Sequence, residues 1–281
     1  MTKIPDFPHE KCYKNKDGSH CIKHEYIEEY AEQLLEHYNP ELLKTPQQID
    51  WTDFLEYLGL NIDFANIAKH TDGEDILGTC CFDDLVPLPI YNEKKERTEV
   101  KELNTGDVVL NSILEQQPQR LLFTALHEGG HWVLHKPYYF GMLQAKGQMS
   151  LFGEADKVIK CCRKSDIEPK GKHNLVTTED FLENQANVFA AAVAVPKKVV
   201  KKLVPTLFKK YNYYKLKDGE SENALERFSK RCDIISELAA LFGVSKQVID
   251  IRLAQLGLWY ENEETLQQQL LDNFFSTAET C

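Results

Sequence analysis

Leu121-Leu122-Phe123-Thr124-Ala125-Leu126-His127-Glu128-Gly129-Gly130-His131-Trp132-Val133-Leu134-His135 is the stretch from which this chain is best read. It contains H-E-x-x-H, with His127 and His131 four residues apart. On a helix that spacing puts both imidazoles on one face, one turn apart. Both can then reach a single zinc ion at about 2.0–2.1 Å from each nitrogen. Glu128 sits beside them, within reach of a metal-bound water, as the general base expected in metal-assisted hydrolysis. The plainer alternative is a surface helix with two solvated histidines. Against it, Leu121, Leu122, Phe123, Ala125 and Leu126 predict a buried helix, and buried imidazoles flanking a carboxylate need partners. Gly129 and Gly130 each cost about 1 kcal/mol relative to alanine inside a helix. Their presence there predicts that something approaches the helix closely.

Upstream, short strands are expected at Leu60–Ala65, Leu77–Phe82, Val86–Tyr91 and Val108–Asn111, separated by turn residues. They predict a small antiparallel sheet with the helix at about 117–135 packed on it, closed by His135-Lys136-Pro137. Trp51–Leu58 reads as a short helix stopped by Gly59. Residues 25–38 read as an amphipathic helix, with Ile27, Ala31, Leu34, Leu35 and Tyr38 on one stripe and an acidic opposite side. Before it, Cys12, His20, Cys21 and His24 are scattered. The C-x8-C spacing of Cys12 and Cys21 is not a usual zinc-finger spacing, so a second ion there is not expected.

Downstream, 138–176 is irregular, with a strand expected at Val158–Arg163. It reads as an excursion that either shapes a cleft or is a passive insertion. Thr177 and Asp180 have the spacing of a capping box and open a helix that Pro196 ends. Glu183, Ala186, Asn187 and Ala190 share one face of it. A catalytic zinc takes three protein ligands and keeps one position open. Glu183 is a candidate third ligand, and Asn187 one turn on could orient it or contact substrate. Spacing alone leaves equal room for Glu183 as an exposed first-turn glutamate that complements the helix dipole. His135, one turn past His131, reads as a residue supporting the ligands or as core. Tyr138, Tyr139 and His173 are the candidates for an oxyanion donor.

Lys197–Lys217 carries eight lysines and no acid, which reads as a solvated face. Residues 232–258 read as helix, turn and helix, with Gly243 as the break and Ser245 as the next cap. From Glu226 to Leu258 there are five basic and four acidic side chains, too little positive charge for phosphate binding, so direct DNA binding is not expected.

The whole chain of 281 residues has a formal net charge of -11, which gives no general attraction to nucleic acid. Its 42% hydrophobic and 27% charged residues are ordinary for a globular protein. The N-terminal residues show no signal-peptide pattern, and the longest apolar run, Val188–Val195, is too short for a bilayer. A cytoplasmic protein without membrane partners is expected. The eight cysteines include two vicinal pairs, which fits reduced thiols better than a disulfide framework.

Three segments together resemble one family, the ImmA/IrrE metallo-endopeptidases. They are Phe123–His131 with Leu134-His135; Glu183-Asn184-Gln185-Ala186-Asn187-Val188-Phe189-Ala190-Ala191, ending at Pro196; and Leu238-Ala239-Ala240-Leu241-Phe242-Gly243-Val244-Ser245 with Arg252-Leu253 and Leu256-Gly257-Leu258. The resemblance spans roughly residues 45–258. It implies an α+β, compact zincin-like domain of bacterial or phage origin, with one zinc held by His127, His131 and Glu183. It also implies cleavage of a helix-turn-helix repressor, which relieves repression of mobile-element, phage or stress genes. A module that binds and sequesters such a repressor with little or no cleavage is the alternative. The long separation of His131 from Glu183, and Val193-Ala194-Val195 where leucine and methionine are usual, depart from the family pattern. The expected organisation is an extension at 1–44, a peptidase domain at 45–205, a lysine-rich and helix-turn-helix-like segment at 206–265, and a tail at 266–281.

Overall fold

The computed structural model describes residues 4–69, 73–149, 159–163, 175–215 and 222–260; His173 and the tail fall outside them. The fold is mixed α+β. Among the described residues no helix is long and apolar enough to cross a membrane. The chain divides into two compact units, Met1–Pro40 with Ile49–Ala194, and Glu41–Gln48 with Val195–Cys281.

The first unit begins with a two-stranded ribbon, β1 (Tyr13–Lys14) and β2 (His20–Cys21). Helix α1 (His24–Tyr38) follows and buries Ile27, Tyr30, Ala31, Leu34 and Leu35, the expected stripe with Tyr30 added and Tyr38 only partly buried. Helix α2 (Trp51–Tyr57) is capped by Asp50, whose carboxylate accepts from the Thr52 and Asp53 amides at 3.1 and 3.2 Å. Gly59, with φ of +79°, supplies the left-handed turn that ends it.

The sheet is built from β3 (Asn61–Ala65), β4 (Ile76–Cys81), β7 (Asp107–Asn111) and β8 (Ile159–Arg163), in the order β3-β7-β4-β8. It is not wholly antiparallel, as the sequence had suggested: β3 and β7 run parallel, while β4 is antiparallel to β7 and β8. Burial explains the order. All six residues of β4 and the last four of β7 are buried, so these strands need cover on both sides. Strand β3, with Asn61, Asp63 and Phe64 exposed, is suited to an edge. Strand β5 (Val86–Asn92), expected in the same sheet, instead forms a separate hairpin with β6 (Arg97–Leu103). Pro87 and Pro89 fall on its outward side, where the Tyr91 amide donates to Asn66 O at 2.7 Å, so the prolines remove no bond to β6. Strand β6 has no apolar alternation beyond Val100 and Leu103, which is why it is not evident in the sequence.

Helix α3 (Pro118–Met149) carries the H-E-x-x-H motif and runs on through Pro137 rather than stopping there. A proline removes one amide donor and crowds the preceding turn. In that crowded turn His9 donates from Nε2 to the Leu134 carbonyl at 2.7 Å. Beyond the proline, Tyr139 is buried and stacks on Phe82 with ring centroids 4.4 Å apart, so continued helix is stabilised by packing. Helix α4 (Thr178–Ala194) opens with the expected box. The Asp180 amide donates to Thr177 Oγ1 at 3.1 Å, and the Thr177 amide donates to Asp180 Oδ2 at 2.8 Å. Helix α3 lies between β4 on one side and α4 on the other, and α1 covers α4.

The second unit contains α5 (Lys197–Lys210), α6 (Ala224–Phe242) and α7 (Lys246–Gln255). Gly243 in the left-handed region ends α6, and the Ser245 hydroxyl caps α7 as expected. Helix α6 starts eight residues before the expected position, because two of its arginines are core residues. Arg227 lies over the Tyr213 ring at 4.4 Å and pairs with Glu222, while Arg231 lies over Trp259 at 4.3 Å and pairs with Asp250. Arg252 is also buried and donates from Nε to Val195 O at 3.1 Å.

Candidate metal centre

His127, Glu128 and His131 sit one turn or less apart on α3, all fully buried, and Glu183 from the second turn of α4 reaches them across the helix contact. The two Nε2 atoms are 3.0 Å apart. Glu183 Oε2 lies 3.0 Å from His127 Nε2 and 3.6 Å from His131 Nε2. Neighbouring ligand atoms around one tetrahedral zinc are separated by about 3.3 Å, given bonds near 2.0–2.1 Å. The three donor atoms therefore already form a triangle of the right size, and this buried cluster could hold a metal ion. Glu183 is not the exposed first-turn glutamate that spacing alone allowed.

The close approach depends on the two glycines. A Cβ on Gly130 would meet Ala186 Cα and O at 3.2 Å and Phe189 Cδ1 at 3.1 Å, so α4 packs directly on the α3 backbone. A Cβ on Gly129 would meet Leu55 Cδ2 at 2.9 Å on α2. On the sheet side, a Cβ on Gly78 of β4 would lie 2.8 Å from Glu128 Oε1. Glu128 thus has its place because β4 carries no side chain there.

Hydrogen bonds assign the tautomers. Asn187 Oδ1 accepts from His127 Nδ1 at 2.9 Å, which leaves the Nε2 lone pair for a metal. For His131 the assignment comes through a chain of partners. Gln185 Nε2 donates to the His20 carbonyl at 3.0 Å, which orients the amide. Gln185 Oε1 then accepts from His135 Nε2 at 3.0 Å, so His135 Nδ1 accepts from His131 Nδ1 at 2.9 Å. The His131 Nε2 lone pair is thereby turned toward His127 Nε2 and Glu183 Oε2. The structure thus brings Asn187 and His135 to the candidate ligands and adds Gln185, which sequence reasoning missed. Its only signal was a glutamine on a helix that is otherwise buried nearly all round. Replacing Gln185 with leucine should weaken metal binding about 10–100-fold, as is usual for partners that orient a ligating histidine. Chelator competition measures this, and an unchanged affinity would remove Gln185 from the site.

Among the other candidates, Tyr139 is buried, and its hydroxyl makes no hydrogen bond among the described residues. Burial pushes its pKa well above the ordinary tyrosine range, helped by the charges of Glu183 and Glu128, so it remains an O–H donor. Tyr138 points elsewhere, into a cleft with Lys14, Asp17 and Met142. Cys12 and Cys21 belong to neither metal-capable group found among the described residues.

The chain matches no family model and no curated protein.

Charge coupling within the centre has a definite sign. Burial alone would lower the His127 pKa, but Glu183, Glu128 and Asn187 together raise it above the ordinary 6.5. Burial alone would raise Glu183, but His131 and His127 hold it well below the usual carboxylate range. In the metal-free protein, protonated His127 is stabilising below its ordinary pKa and loses this contribution as pH rises through the raised one. Ionised Glu183 contributes above its ordinary pKa and loses that contribution only as pH falls through the depressed one. A metal must displace the His127 proton. Apparent metal affinity should therefore begin to fall while the pH is still above 6.5, by roughly tenfold per pH unit. Titration calorimetry across pH checks this, and an onset below 6.5 would contradict it.

Proposed function

We propose that this chain is a zinc-dependent endopeptidase of the ImmA/IrrE kind, acting on a helix-turn-helix repressor in a reducing cytoplasm. The observation that carries the reading is the triangle of His127 Nε2, His131 Nε2 and Glu183 Oε2, with edges of 3.0, 3.0 and 3.6 Å. Its two histidines and one carboxylate are the ligand set of zinc hydrolases that keep a position open. When bound, zinc supplies Lewis acidity, which polarises a carbonyl and brings proton loss from water into the neutral range.

The protein residues around it then have distinct tasks. A carboxylate oxygen of Glu128 lies within 4.8 Å of a His127 ring nitrogen, which puts it beside the donor cluster. There Glu128 would take a proton from the attacking water and return it to the leaving amine nitrogen. The Tyr139 hydroxyl is the better of the two described tyrosines for donating to a developing oxyanion, because it is buried beside the site and uncommitted. Asn187 and the His135–Gln185 pair hold the imidazoles in their ligating tautomers.

The substrate class rests on the resemblance of Phe123–His135, Glu183–Pro196 and Leu238–Leu258 to that family. Direct DNA binding is a poor fit, since Arg227, Arg231 and Arg252 are buried and engaged within their own unit. The cytoplasmic assignment is supported by the described cysteines, which form no disulfide among the described residues.

The test is incubation of zinc-loaded protein with a repressor encoded beside its gene, followed by electrophoresis. Cleavage by the wild type is expected, with Glu128→Gln slower by about 10²–10⁴-fold at unchanged zinc content. Intact repressor released from its operator would favour the sequestering module instead. Cleavage that survives Glu128→Gln would remove Glu128 as the base.

A further inference from the structure

Strand β6 is paired on one side only among the described residues, whereas its partner β5 is flanked on both. On the side of β5 away from β6, the Tyr91 amide donates to Asn66 O at 2.7 Å and the Ala68 amide donates to Pro89 O at 3.0 Å. Pro89 and Tyr91, and Pro87 in the same phase, therefore turn their backbone groups away from β6. Their register partners are Val100, Thr98 and Glu102. These are the pairs of the ladder that exchange no hydrogen bonds, so Thr98, Val100 and Glu102 turn their amides and carbonyls to the open edge. Among the described residues none of those groups makes a further backbone hydrogen bond.

Proteins usually blunt such an edge with a proline, a bulge or a free lysine. Strand β6 has no proline, and its pairing with β5 runs through all seven residues without a shift. Its one lysine, Lys101, is engaged by Asp63 of β3. The outward face is also partly apolar. Val100 is 64% exposed and stands opposite Pro89, with exposed Tyr91 diagonal to it.

We propose that β6 is a dimerisation edge, on which a second copy of this chain lays its own β6 antiparallel, with Val100 opposite Val100 at a two-fold axis. In this register Val100 of each copy donates to and accepts from Val100 of the other. Thr98 and Glu102 do the same reciprocally, so every outward backbone group is paired. The side chains select the register. With Val100 on the axis, Glu99 of each copy faces Lys101 of the other, and Thr98 faces Glu102. A shift that centres Glu99 sets Glu99 against itself and Arg97 against Lys101. A shift that centres Lys101 sets Lys101 against itself. Shifts by the other parity turn the bonding groups out of phase. The two Val100 side chains meet beside each other on the outward face, which covers the most exposed apolar residue of the strand. The result is a continuous sheet through both hairpins, with β5 and its prolines at each outer side.

The full-length wild type is followed by sedimentation equilibrium from micromolar to sub-millimolar concentration. A monomer–dimer equilibrium is expected, and a monomer throughout overturns the proposal. Val100→Pro removes the central donor of each copy without touching a bond to β5, and should weaken dimerisation at least roughly tenfold. Dimerisation unchanged by Val100→Pro overturns the proposal, because the dimer then uses another surface. Register has its own test. Glu99→Lys and Lys101→Glu should each dimerise poorly alone, and an equal mixture of the two should recover, since each lysine then faces a glutamate. A mixture no better than its components overturns the register. Amide exchange of the wild type needs no variant: protection at Thr98, Val100 and Glu102 should rise with protein concentration, and exchange there that is independent of concentration overturns the proposal.

Discussion

Glu183→Ala should hold metal at least roughly 100-fold more weakly than the parent chain while keeping its helical content. Residues that merely orient a ligand typically contribute 10–100-fold to affinity, and a direct ligand should exceed that. Glu183 is the only one of the three donors delivered by α4, at 3.0 Å from His127 and 3.6 Å from His131. Its loss leaves two imidazoles without the carboxylate that completes their triangle of donors. Chelator competition is the appropriate measurement, because bulk metal content can saturate despite a large fall in affinity. Glu183→Gln, which keeps the side-chain volume, separates loss of a ligand from a packing defect: both variants should be weak. Wild-type affinity in both would exclude Glu183 and favour the group of His127, Glu128 and Cys162.

Gly130→Val should carry the largest cost in stability. Even a lone Cβ at Gly130 would sit 3.1–3.2 Å from Phe189 and from the Ala186 backbone. Backbone cannot swing aside as a flexible side chain can. Overpacking of this kind costs about 1–3 kcal/mol, occasionally more. Valine's two methyls also push α4 away from α3, and α4 carries Glu183, Gln185 and Asn187. A lowered denaturation midpoint and weakened metal binding should therefore appear together. Gly130→Ala is the informative partner, because helix propensity returns about 1 kcal/mol against a smaller clash. A Gly130→Val protein with parental stability and metal affinity would mean that α3 and α4 do not pack this closely in solution.

These two residues also mark how much of the site was legible in the sequence. The i, i+4 spacing of His127 and His131 is a local property of a helix, and so is the position of Glu128 between them. The glycine pair was readable as a point of close approach, though not as contact with two different helices, α2 and α4. Glu183 was undecided on spacing and became a ligand candidate only through resemblance, since its meeting with α3 is a tertiary contact. Gln185 gave only a faint signal, because its part depends on a relay that ends at a backbone carbonyl far away in the chain. Pro137 was read as a stop because the stabilising partners, His9 and Phe82, lie elsewhere in the sequence. The parallel pairing of β3 with β7 was missed for a similar reason: local alternation marks a strand but says nothing of its neighbour. In the second unit, charged arginines hid the first turns of α6, where the guanidinium groups stack on aromatic rings.

The relay from His131 ends on the His20 carbonyl, and His20 and Gln185 are 165 residues apart in the chain. His9 and its partner Leu134 are 125 apart. During synthesis, the ribosome therefore delivers His9 and His20 long before either partner exists. The β1–β2 ribbon and α1 have no finished surface to dock on until α4 has emerged, and contacts of such long range form late in folding. Metal competence thus depends on both ends of the first unit. A chain lacking its first twenty or so residues would still contain all of His127, Glu128, His131 and Glu183, yet the amide that sets the His131 tautomer would have lost its anchor.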